Sequence, residues 1–433
     1  MVKASVTDWG TFCVKTARNP AWVPATGTNH GNKGVVKLKR VLHSVVDKVY
    51  NWCNLISASH KVQKNKGAGG IDGVTVGKWA QREQSHLSHL RRQLIEDTYR
   101  SKPVKRVYIA KPGSKKQRPL GIPVIKDRVC QQAVCNVLQP VFEEYFHENS
   151  HGFRPGRSTH TAARQVEQMR RKGYRHVVDL DIKGFFDHVD HEILMRLVRQ
   201  VVKDRRVLGL IRGWLTAGVM EEGNVRYETS GTPQGGVVSP LLSNVYLTAF
   251  DNALTDEGYQ FVRYADDVVI MCRNGQEAEQ ALAFARKALG SMKLELSEEK
   301  TRITTFKQGF DFLGFHFKLN GKGVGTKSLK GLYSKVRQIT RRYQGDRPVK
   351  QVIEDLCPVL QGWGNYHRYG RNVGLFTKLD KWVRKRLRSY IYKRWDTSRW
   401  SSESRPAKAE FERMGLYSLR SILRPQELQL KLF

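Results

Sequence analysis

The sequence predicts an α+β fold in which a region of mixed strands and helices is followed by a helical region. Between Lys102 and Asn320, short β-rich runs alternate with apolar residues at helical spacing. After Asn320 the apolar residues keep helical spacing only, and Lys and Arg stand between them. Of the 433 residues 40% are hydrophobic, which is enough for large cores. This length corresponds to about two to four domains.

The first 65 residues are expected to form a basic, partly helical N-terminal extension. Pro and Gly interrupt residues 19–34, and apolar residues at helical spacing follow from Val41 to Leu55. A flexible run, Lys61–Gly70, is expected to end in a turn. The first 45 residues resemble an organellar transit peptide in charge, but they lack its amphipathic period and any secretory apolar core. No apolar stretch approaches the roughly 20 residues of a membrane span, so no membrane association is expected.

The middle of the chain contains the clearest strand and helix patterns. Residues Ile193–Val202 follow helical spacing, and Asp190 is expected to cap that helix. A turn is expected at Lys111–Gly113, directly after the first predicted strand. The predicted strands are Val104–Ile109, Val177–Ile182, Phe261–Val262 and Val268–Ile270, and a tight turn joins the last two.

Residues 321–400 are predicted to form amphipathic helices with basic faces, and residues 401–433 a C-terminal tail. The run Lys381–Arg399 contains eight basic residues and one acid, interrupted by aromatic residues. Aromatic residues among cations can stack on bases while the cations contact phosphates. They could also pack inward with the charges merely solvated, and on a helix the two arrangements are compatible. The residues predicted to contact RNA are Arg384, Lys385, Arg386 and Arg388.

The net charge is strongly positive, because 75 Lys and Arg stand against 40 Asp and Glu, a formal charge of +35. A compact chain with this charge repels itself, so a polyanionic partner is the natural explanation. The composition therefore indicates nucleic-acid binding, although non-catalytic ribosomal or histone-like proteins share it. Six cysteines show neither CxxC pairs nor Cys–His zinc spacing, which fits the cytosol and argues against a zinc site.

The strongest indication of chemistry is Tyr264–Asp267, where two adjacent carboxylates stand between apolar strands. Burial of adjacent acids is costly unless a positive charge neutralises them, and a divalent metal ion can do so. A hairpin bend would be needed to present both carboxylates together, since neighbouring strand residues point to opposite faces. Taken alone, an Asp-Asp pair is also common in surface turns.

A second acidic strand favours the metal hypothesis. Asp179 and Asp181 share one face of the predicted strand Val177–Ile182, because strand side chains alternate. One of these acids and the hairpin pair would form a site of three carboxylates, the oxygen ligands that Mg²⁺ prefers. Two Mg²⁺ ions about 3.5–4 Å apart are the arrangement that catalyses nucleotidyl transfer. Mn²⁺ is a possible substitute for Mg²⁺ in such a site.

Motifs within residues 65–400 resemble, in order, those of reverse transcriptases encoded by bacterial group II introns, particularly the compact class C type. A single motif is a weak signal, whereas the ordered set is specific. Leu356–Tyr366 is similar to the family's thumb or maturase domain. The preceding motifs are Gly67–Gly73, Lys116–Pro123, Ser150–Ser158, the Asp181 strand, Gly231–Pro240, Tyr264–Asp267, Leu296–Thr301 and Phe312–Phe315.

The resemblance implies a right-hand polymerase with fingers and palm at 66–320, an antiparallel palm sheet and an α-helical thumb or maturase domain at 321–400. It implies RNA-directed DNA synthesis from dNTPs, with intron RNA or an RNA template and a DNA primer or target as partners. Assistance to splicing and retrohoming is implied too, in the bacterial cytoplasm near the nucleoid or within a ribonucleoprotein. No obligate protein partner is expected. The endonuclease elements of many relatives are not found, so second-strand cutting is not expected.

The resemblance also implies the metal ligands. Asp181, Asp266 and Asp267 would be the catalytic carboxylates, with the carbonyl oxygen of Ile182 as an additional ligand. The family pattern places the catalytic acid directly before Ile-Lys-Gly, which favours Asp181 over Asp179.

The resemblance implies four nucleotide-binding residues: Lys111, Arg118, Phe186 and Gln234. Phe186 takes the place of the aromatic residue that crowds a ribose 2′-hydroxyl, although it could be a core residue instead. Lys111 and Arg118 are candidates for the triphosphate, but either could hold the template backbone. Lys300 is a weaker candidate for a position near the leaving pyrophosphate.

Two other functions stay open on the sequence alone. The protein could be chiefly a splicing cofactor that binds and folds one intron RNA, although RNA folding does not require the three acids. It could also be a domesticated relative that serves repair or phage defence.

Overall fold

The computed structural model describes residues 40–110, 117–221, 223–227, 231, 235–341, 347–370, 372–391 and 407–423. All of these belong to one compact unit, residues 40–433. The predicted turn at Lys111–Gly113 and most of the N-terminal extension lie outside the described residues. None of the described helices is long and apolar enough to cross a membrane.

The N-terminal part of this unit is mainly helical. Its second helix continues to Lys64, so the first residues of the run expected to be flexible are helical. The reason is burial, because Val62 in the last turn packs into the core at 4% exposure. The elements are α1 (Val46–Val49), α2 (Trp52–Lys64), α3 (Val76–Gln81), α4 (Glu83–Ile95), β1 (Val104–Ala110), β2 (Gln117–Ile122) and α5 (Ile125–Phe142).

The middle of the chain alternates helices and strands, as the sequence predicts. Asp190 caps its helix by accepting a 2.9 Å hydrogen bond from the Ile193 amide. The elements are α6 (Thr159–Arg171), β3 (His176–Asp181), α7 (Phe185–His188), α8 (His191–Val201), α9 (Arg205–Leu215), β4 (Val219–Glu221), β5 (Asn224–Arg226), α10 (Ser239–Asp256), β6 (Gln260–Tyr264), β7 (Asp267–Cys272), α11 (Gly275–Ser291) and β8 (Arg302–Thr305).

The central sheet has the strand order β6-β7-β3-β8, and every neighbouring pair is antiparallel. This confirms the predicted antiparallel sheet. One face of the sheet contributes Val178, Leu180 and Ile270 to the main core, which it shares with α8, α10 and α11. The other face contributes Val177 and Val269 to a second core with α6 and a group of phenylalanines. Both faces are covered, which explains why the strands are apolar on both sides.

Two smaller sheets flank the central one. β1 pairs with β2 in an antiparallel hairpin and with β4 in parallel, giving the order β2-β1-β4-β5. The second small sheet has the order β11-β10-β9 and supplies phenylalanines to the second core. Its strands are β9 (Phe310–Phe312), β10 (Phe315–Lys318) and β11 (Gly321–Val324).

The described C-terminal part is helical, with α12 (Thr326–Ile339), α13 (Val349–His367), α14 (Val373–Ile391), α15 (Lys408–Arg413) and a 3₁₀ helix at Leu419–Leu423. Because β11 pairs with β10, helix begins at Thr326 instead of directly after the expected boundary at residue 320. These helices share their own apolar core. Asp380 on α14 accepts hydrogen bonds from the Leu419 and Arg420 amides, so part of the expected tail packs on the helical core.

Candidate active site

A two-residue hairpin joins β6 to β7 and carries the acidic pair. Tyr264 and Asp267 are paired across the hairpin, so Ala265 and Asp266 form its loop. Ala265 has a φ of 58°, which lies in the left-handed region that residues other than glycine rarely adopt. This is the hairpin bend that the sequence requires to present both carboxylates together. It places Asp266 in the loop and Asp267 at the start of β7.

Asp181, the last residue of β3, lies directly opposite Asp267 on the neighbouring strand. The Asp181 carbonyl accepts a 2.8 Å hydrogen bond from the Ser297 amide on the other side of β3. Since the peptide groups of Asp181 point away from β7, this is a non-hydrogen-bonded pair. The Cα atoms of such pairs are typically about 4.5 Å apart and the side chains share one face. The structure thus brings Asp181 and Asp267 side by side, with Asp266 next to them.

The Ile182 carbonyl is oriented toward the same region. Ile182 forms an isolated bridge with Leu296, in which the flanking residues Asp181 and Lys183 make the hydrogen bonds. The peptide groups of Ile182 therefore lie on the opposite side of the chain, toward β7. This is the orientation that an additional oxygen ligand would need.

Burial and nearby negative charge raise the pKa values of Asp266 and Asp267. Partial desolvation, followed by the charges of Asp266 and Asp181, raises the pKa of Asp267 to about 6, even though its side chain stays accessible at the surface. The pKa of Asp266 is also raised, chiefly by desolvation and then by Asp181. Accessible acids that repel one another form a site that a cation can both reach and stabilise.

Two basic residues already contact acids on this face. Lys300 Nζ lies 2.8 Å from Asp181 Oδ1, so a metal ion would compete with this lysine. Arg302 lies 3.2 Å from Asp179 Oδ2. Both acids thus have a basic partner. Asp181 lies opposite Asp267, whereas Asp179 lies opposite Val269, which agrees with the preference for Asp181 as the ligand.

The donor set fits Mg²⁺ in its chemistry, since it offers carboxylate and carbonyl oxygens only. The arrangement is not that of a preformed cage. Within the described ranges, no group of three or more His, Cys, Asp and Glu side chains is already placed to hold a metal ion. Ligation by all three aspartates therefore remains a prediction.

The candidate nucleotide-binding residues are only partly described. Lys111 and Gln234 lie outside the described residues. Arg118 on β2 is exposed. Its positive charge offsets part of the rise in the pKa of Asp266 that desolvation causes, so Arg118 lies within electrostatic range of the hairpin. Phe186 on α7 is half-buried and meets Phe185 edge-to-face, with ring centroids 5.3 Å apart. Its position leaves both predicted interpretations, ribose contact and core packing, in agreement with the structure.

Gly152 packs closely against the hairpin, a contact that the sequence did not reveal. A Cβ atom at residue 152 would lie 2.3 Å from the Ala265 backbone nitrogen. Glycine is therefore required for the chain to approach the hairpin this closely. The signal in the sequence was its place in the motif Ser150–Ser158, but only the structure shows which backbone it meets.

Comparisons with known proteins assign the chain to a family. The family model described as reverse transcriptase (RNA-dependent DNA polymerase) matches residues 109–317. The model of the group II intron maturase-specific domain matches residues 329–406. Protein YkfC of Escherichia coli K12 is 34% identical over 320 residues, which cover 64% of this chain and 83% of YkfC. The chain belongs to the group II intron reverse transcriptase family.

A second relative of this reverse transcriptase is the group II intron-encoded protein LtrA of Lactococcus lactis. It is 32% identical over 341 residues, which cover 63% of this chain and 56% of LtrA. The chain thus spans just over half of LtrA. The solved telomerase of Candida albicans has a TM-score of 0.43 at 14% identity, covering 74% of this chain and 64% of that one. That likeness is too low to add to the sequence matches.

The maturase-specific match includes the basic helix α14, where the predicted RNA contacts lie. Lys385 is exposed and Arg384 half-buried. Arg386 instead donates to the Thr340 hydroxyl and carbonyl at the end of α12, at 3.1 and 3.0 Å. The Arg388 guanidinium lies 5.8 Å from the Phe411 ring centroid. Arg386 and Arg388 therefore have structural contacts, which leaves Arg384 and Lys385 as the better-placed cations.

The aromatic residues of α14 pack inward. Trp382 meets Tyr333 edge-to-face, with ring centroids 4.6 Å apart. Tyr390 is buried and donates from its hydroxyl to the Arg347 carbonyl at 2.9 Å. For these two residues the structure favours the second alternative, core packing, over stacking on bases. Tyr392 and Trp395 lie outside the described residues.

Proposed function

We propose that this reverse transcriptase copies RNA into DNA by adding dNTPs to a primer 3′-hydroxyl. The observation that carries the proposal is the pairing of Asp181 with Asp267 at adjoining strand ends, beside the Asp266 hairpin. The family match over residues 109–317 includes all three acids. RNA folding alone gives no reason for three acids to converge, so the geometry supports polymerisation over a purely structural role in splicing.

Asp181, Asp266 and Asp267 would hold two Mg²⁺ ions, with the Ile182 carbonyl as a further ligand. When bound, these ions would activate the primer 3′-oxygen and stabilise the leaving pyrophosphate oxygen. The 3′-hydroxyl gives up its proton to water. A bond forms between that 3′-oxygen and the α-phosphorus of the dNTP, and the bond from the α-phosphorus to the pyrophosphate oxygen breaks. The contribution of the aspartates would be to hold the ions beside the hairpin, so that their positive charge meets the primer 3′-oxygen and the triphosphate.

The neighbouring side chains suit the rest of the substrate. The charge of Arg118 reaches the hairpin and would meet the triphosphate, as would Lys111. Phe186 would crowd a ribose 2′-hydroxyl, and Gln234 would line the nucleotide pocket. Lys300, which contacts Asp181, would sit near the departing pyrophosphate.

We propose that the same protein binds group II intron RNA and assists splicing and retrohoming. The support is the maturase-specific match and a surface of excess positive charge, with Arg384 and Lys385 as the contacts on α14. The proposed division is fingers and palm at 66–320, thumb at 321–400, and flanking segments at 1–65 and 401–433. The bacterial sources of YkfC and LtrA support a bacterial cytoplasmic ribonucleoprotein as its setting.

Primer extension with the Asp266→Asn variant tests the polymerase proposal. We expect cDNA synthesis on an RNA template to be lost while RNA binding stays near that of the unmodified protein. Asp179→Asn is the matched control, since Asp179 lies on the same strand face but is paired with Arg302. It should retain most of the activity. Loss of RNA binding in Asp266→Asn would show that the acids are structural, and full cDNA synthesis would show that Asp266 is not catalytic.

A splicing assay on the same preparations separates the two activities. If the protein were only a splicing cofactor, Asp266→Asn and the unmodified protein would splice equally and neither would extend a primer. A role in repair or phage defence would show as extension without any effect on an intron RNA.

A further inference from the structure

A fully buried ion pair lies beneath the catalytic hairpin, on the opposite face of the sheet from Asp181. Arg263 on β6 and Asp251 on α10 are both 0% exposed. Arg263 Nε donates to Asp251 Oδ1 at 2.7 Å, and Nη2 donates to Oδ2 at 2.5 Å. This two-pronged contact fixes the plane of the guanidinium group.

The third nitrogen of this guanidinium group, Nη1, contacts the hairpin loop itself. Arg263 Nη1 donates to the Ala265 carbonyl at 3.0 Å and to Asn244 Oδ1, also at 3.0 Å. Asn244 in turn donates from Nδ2 to the Gly152 carbonyl at 2.8 Å. Asn244 is fully buried on α10. The side chains therefore tie three segments together: helix α10, the loop before Asp266, and the glycine that packs against that loop.

The backbone of Arg263 repeats the connection. Its amide donates to the Asn149 carbonyl at 2.9 Å, and its carbonyl accepts from the His151 amide at 2.8 Å. The segment before Gly152 thus forms a single parallel bridge with β6, between Ser150 and Arg263. Ala265, whose backbone is left-handed, therefore has two contacts: Gly152 packs against its nitrogen, and Arg263 donates to its carbonyl.

A buried ion pair is a poor device for stability alone. The desolvation of both charges offsets most of their attraction, and apolar replacements are often as stable or more so. This pair also hydrogen-bonds the catalytic loop, so it can serve to position that loop. Positioning matters because geometric errors of about 1 Å can slow a reaction about 100-fold. We propose that Arg263, Asp251 and Asn244 are positioning residues that fix the hairpin so that Asp266 and Asp267 face Asp181. The proposal rests on the polymerase function proposed above.

Two variants test this role in the full-length protein. Asp251→Leu combined with Arg263→Met removes the pair without leaving a buried charge, so the fold should persist. Asn244→Ala keeps the Asp251–Arg263 pair and removes the hydrogen bonds of residue 244 to the Gly152 carbonyl and to Arg263 Nη1. Asp204→Asn is the control, since Asp204 is a buried carboxylate that accepts from the Val45 and Val46 amides, away from the hairpin.

The first readout is amide hydrogen exchange of the full-length protein, measured in the fragment that spans the hairpin, with neither nucleic acid nor metal added. Faster exchange of the hairpin amides is expected in both test variants, and in Asp204→Asn only near α1 and α9. The second readout is steady-state primer extension. In the double variant kcat should fall about 100-fold, with a smaller fall in Asn244→Ala, while KM for dNTP and primer–template affinity stay nearly unchanged.

Unchanged hairpin exchange and unchanged kcat in either folded variant would overturn the proposal. A change in thermal stability alone, equal to that in Asp204→Asn, would also overturn it, since that is the mark of ordinary core packing. If the unmodified protein fails to extend a primer, the polymerase proposal fails, whereas the exchange measurement still reports whether these residues hold the hairpin.

Discussion

Asp267 begins a strand whose next five residues are buried, yet its own side chain stays accessible. Its pKa is raised to about 6, first by desolvation and then by Asp266 and Asp181. At neutral pH most of this carboxylate is still ionised, so the site holds negative charge that Lys300 balances only in part. A divalent cation that joins these acids would remove their mutual repulsion, which explains why the arrangement suits metal-dependent chemistry.

Phe186 is the residue with the most specific prediction for substrate choice. Replacement by Val should remove the bulk that meets a ribose 2′-hydroxyl and raise kcat/KM for NTPs relative to dNTPs by roughly tenfold or more. Single-nucleotide incorporation with matched dNTP and NTP measures this ratio. The control is Phe185→Leu, because Phe185 is 2% exposed and faces the core. An unchanged ratio in Phe186→Val would mean that Phe186 is only a core residue.

At the scale of elements, the β6–β7 hairpin depends on its contact with residue 152. In Gly152→Ala the new Cβ would lie 2.3 Å from the Ala265 nitrogen, so the loop must move. We expect kcat for primer extension to fall about 100-fold, with RNA binding retained. Gly209→Ala on α9 is the matched control. Its Cβ meets nothing within 4 Å, so activity should be unchanged. Full activity in Gly152→Ala would contradict the claim that the hairpin depends on the close contact between residue 152 and the Ala265 backbone.

The strands and the acidic hairpin could be predicted from sequence because their signals are local. The alternation in Val177–Ile182 and the apolar runs around Tyr264–Asp267 each fix one element, and the structure places both within a residue or two of expectation. The contacts of Arg263 could not be predicted in this way. Its partners Asn244 and Asp251 lie on another element, and a charged residue in a strand gives no sign that it faces inward.

The helical region shows the same limit. The basic and aromatic residues of α14 were open to two interpretations, and a single periodic pattern could not decide which side chains face the core. The structure decides for Trp382 and Tyr390, which pack in or against the core of the helical region. Packing of residues 407–423 on that core depends on Asp380, a long-range contact with no local pattern.

At the scale of the whole molecule, the formal charge of +35 predicts that RNA affinity is dominated by phosphate contacts. For roughly six or more such contacts, affinity should fall more than about 100-fold between about 50 and about 200 mM salt. Filter binding at a series of salt concentrations measures the slope. Lys385→Ala should weaken binding to all RNA sequences alike and make the slope shallower by about one unit or less, whereas Lys287→Ala on α11 should not. An RNA affinity that does not change with salt would contradict the claim that phosphate contacts dominate binding.

The most direct test of the central claim is anomalous diffraction from crystals of the full-length protein with primer–template, a non-hydrolysable dNTP analogue and Mn²⁺. We expect two Mn²⁺ peaks about 3.5–4 Å apart, bridging the carboxylates of Asp181 and Asp267 with Asp266 beside them. Absence of any peak between Asp181 and Asp267, in crystals whose protein extends primers in solution, would contradict the account.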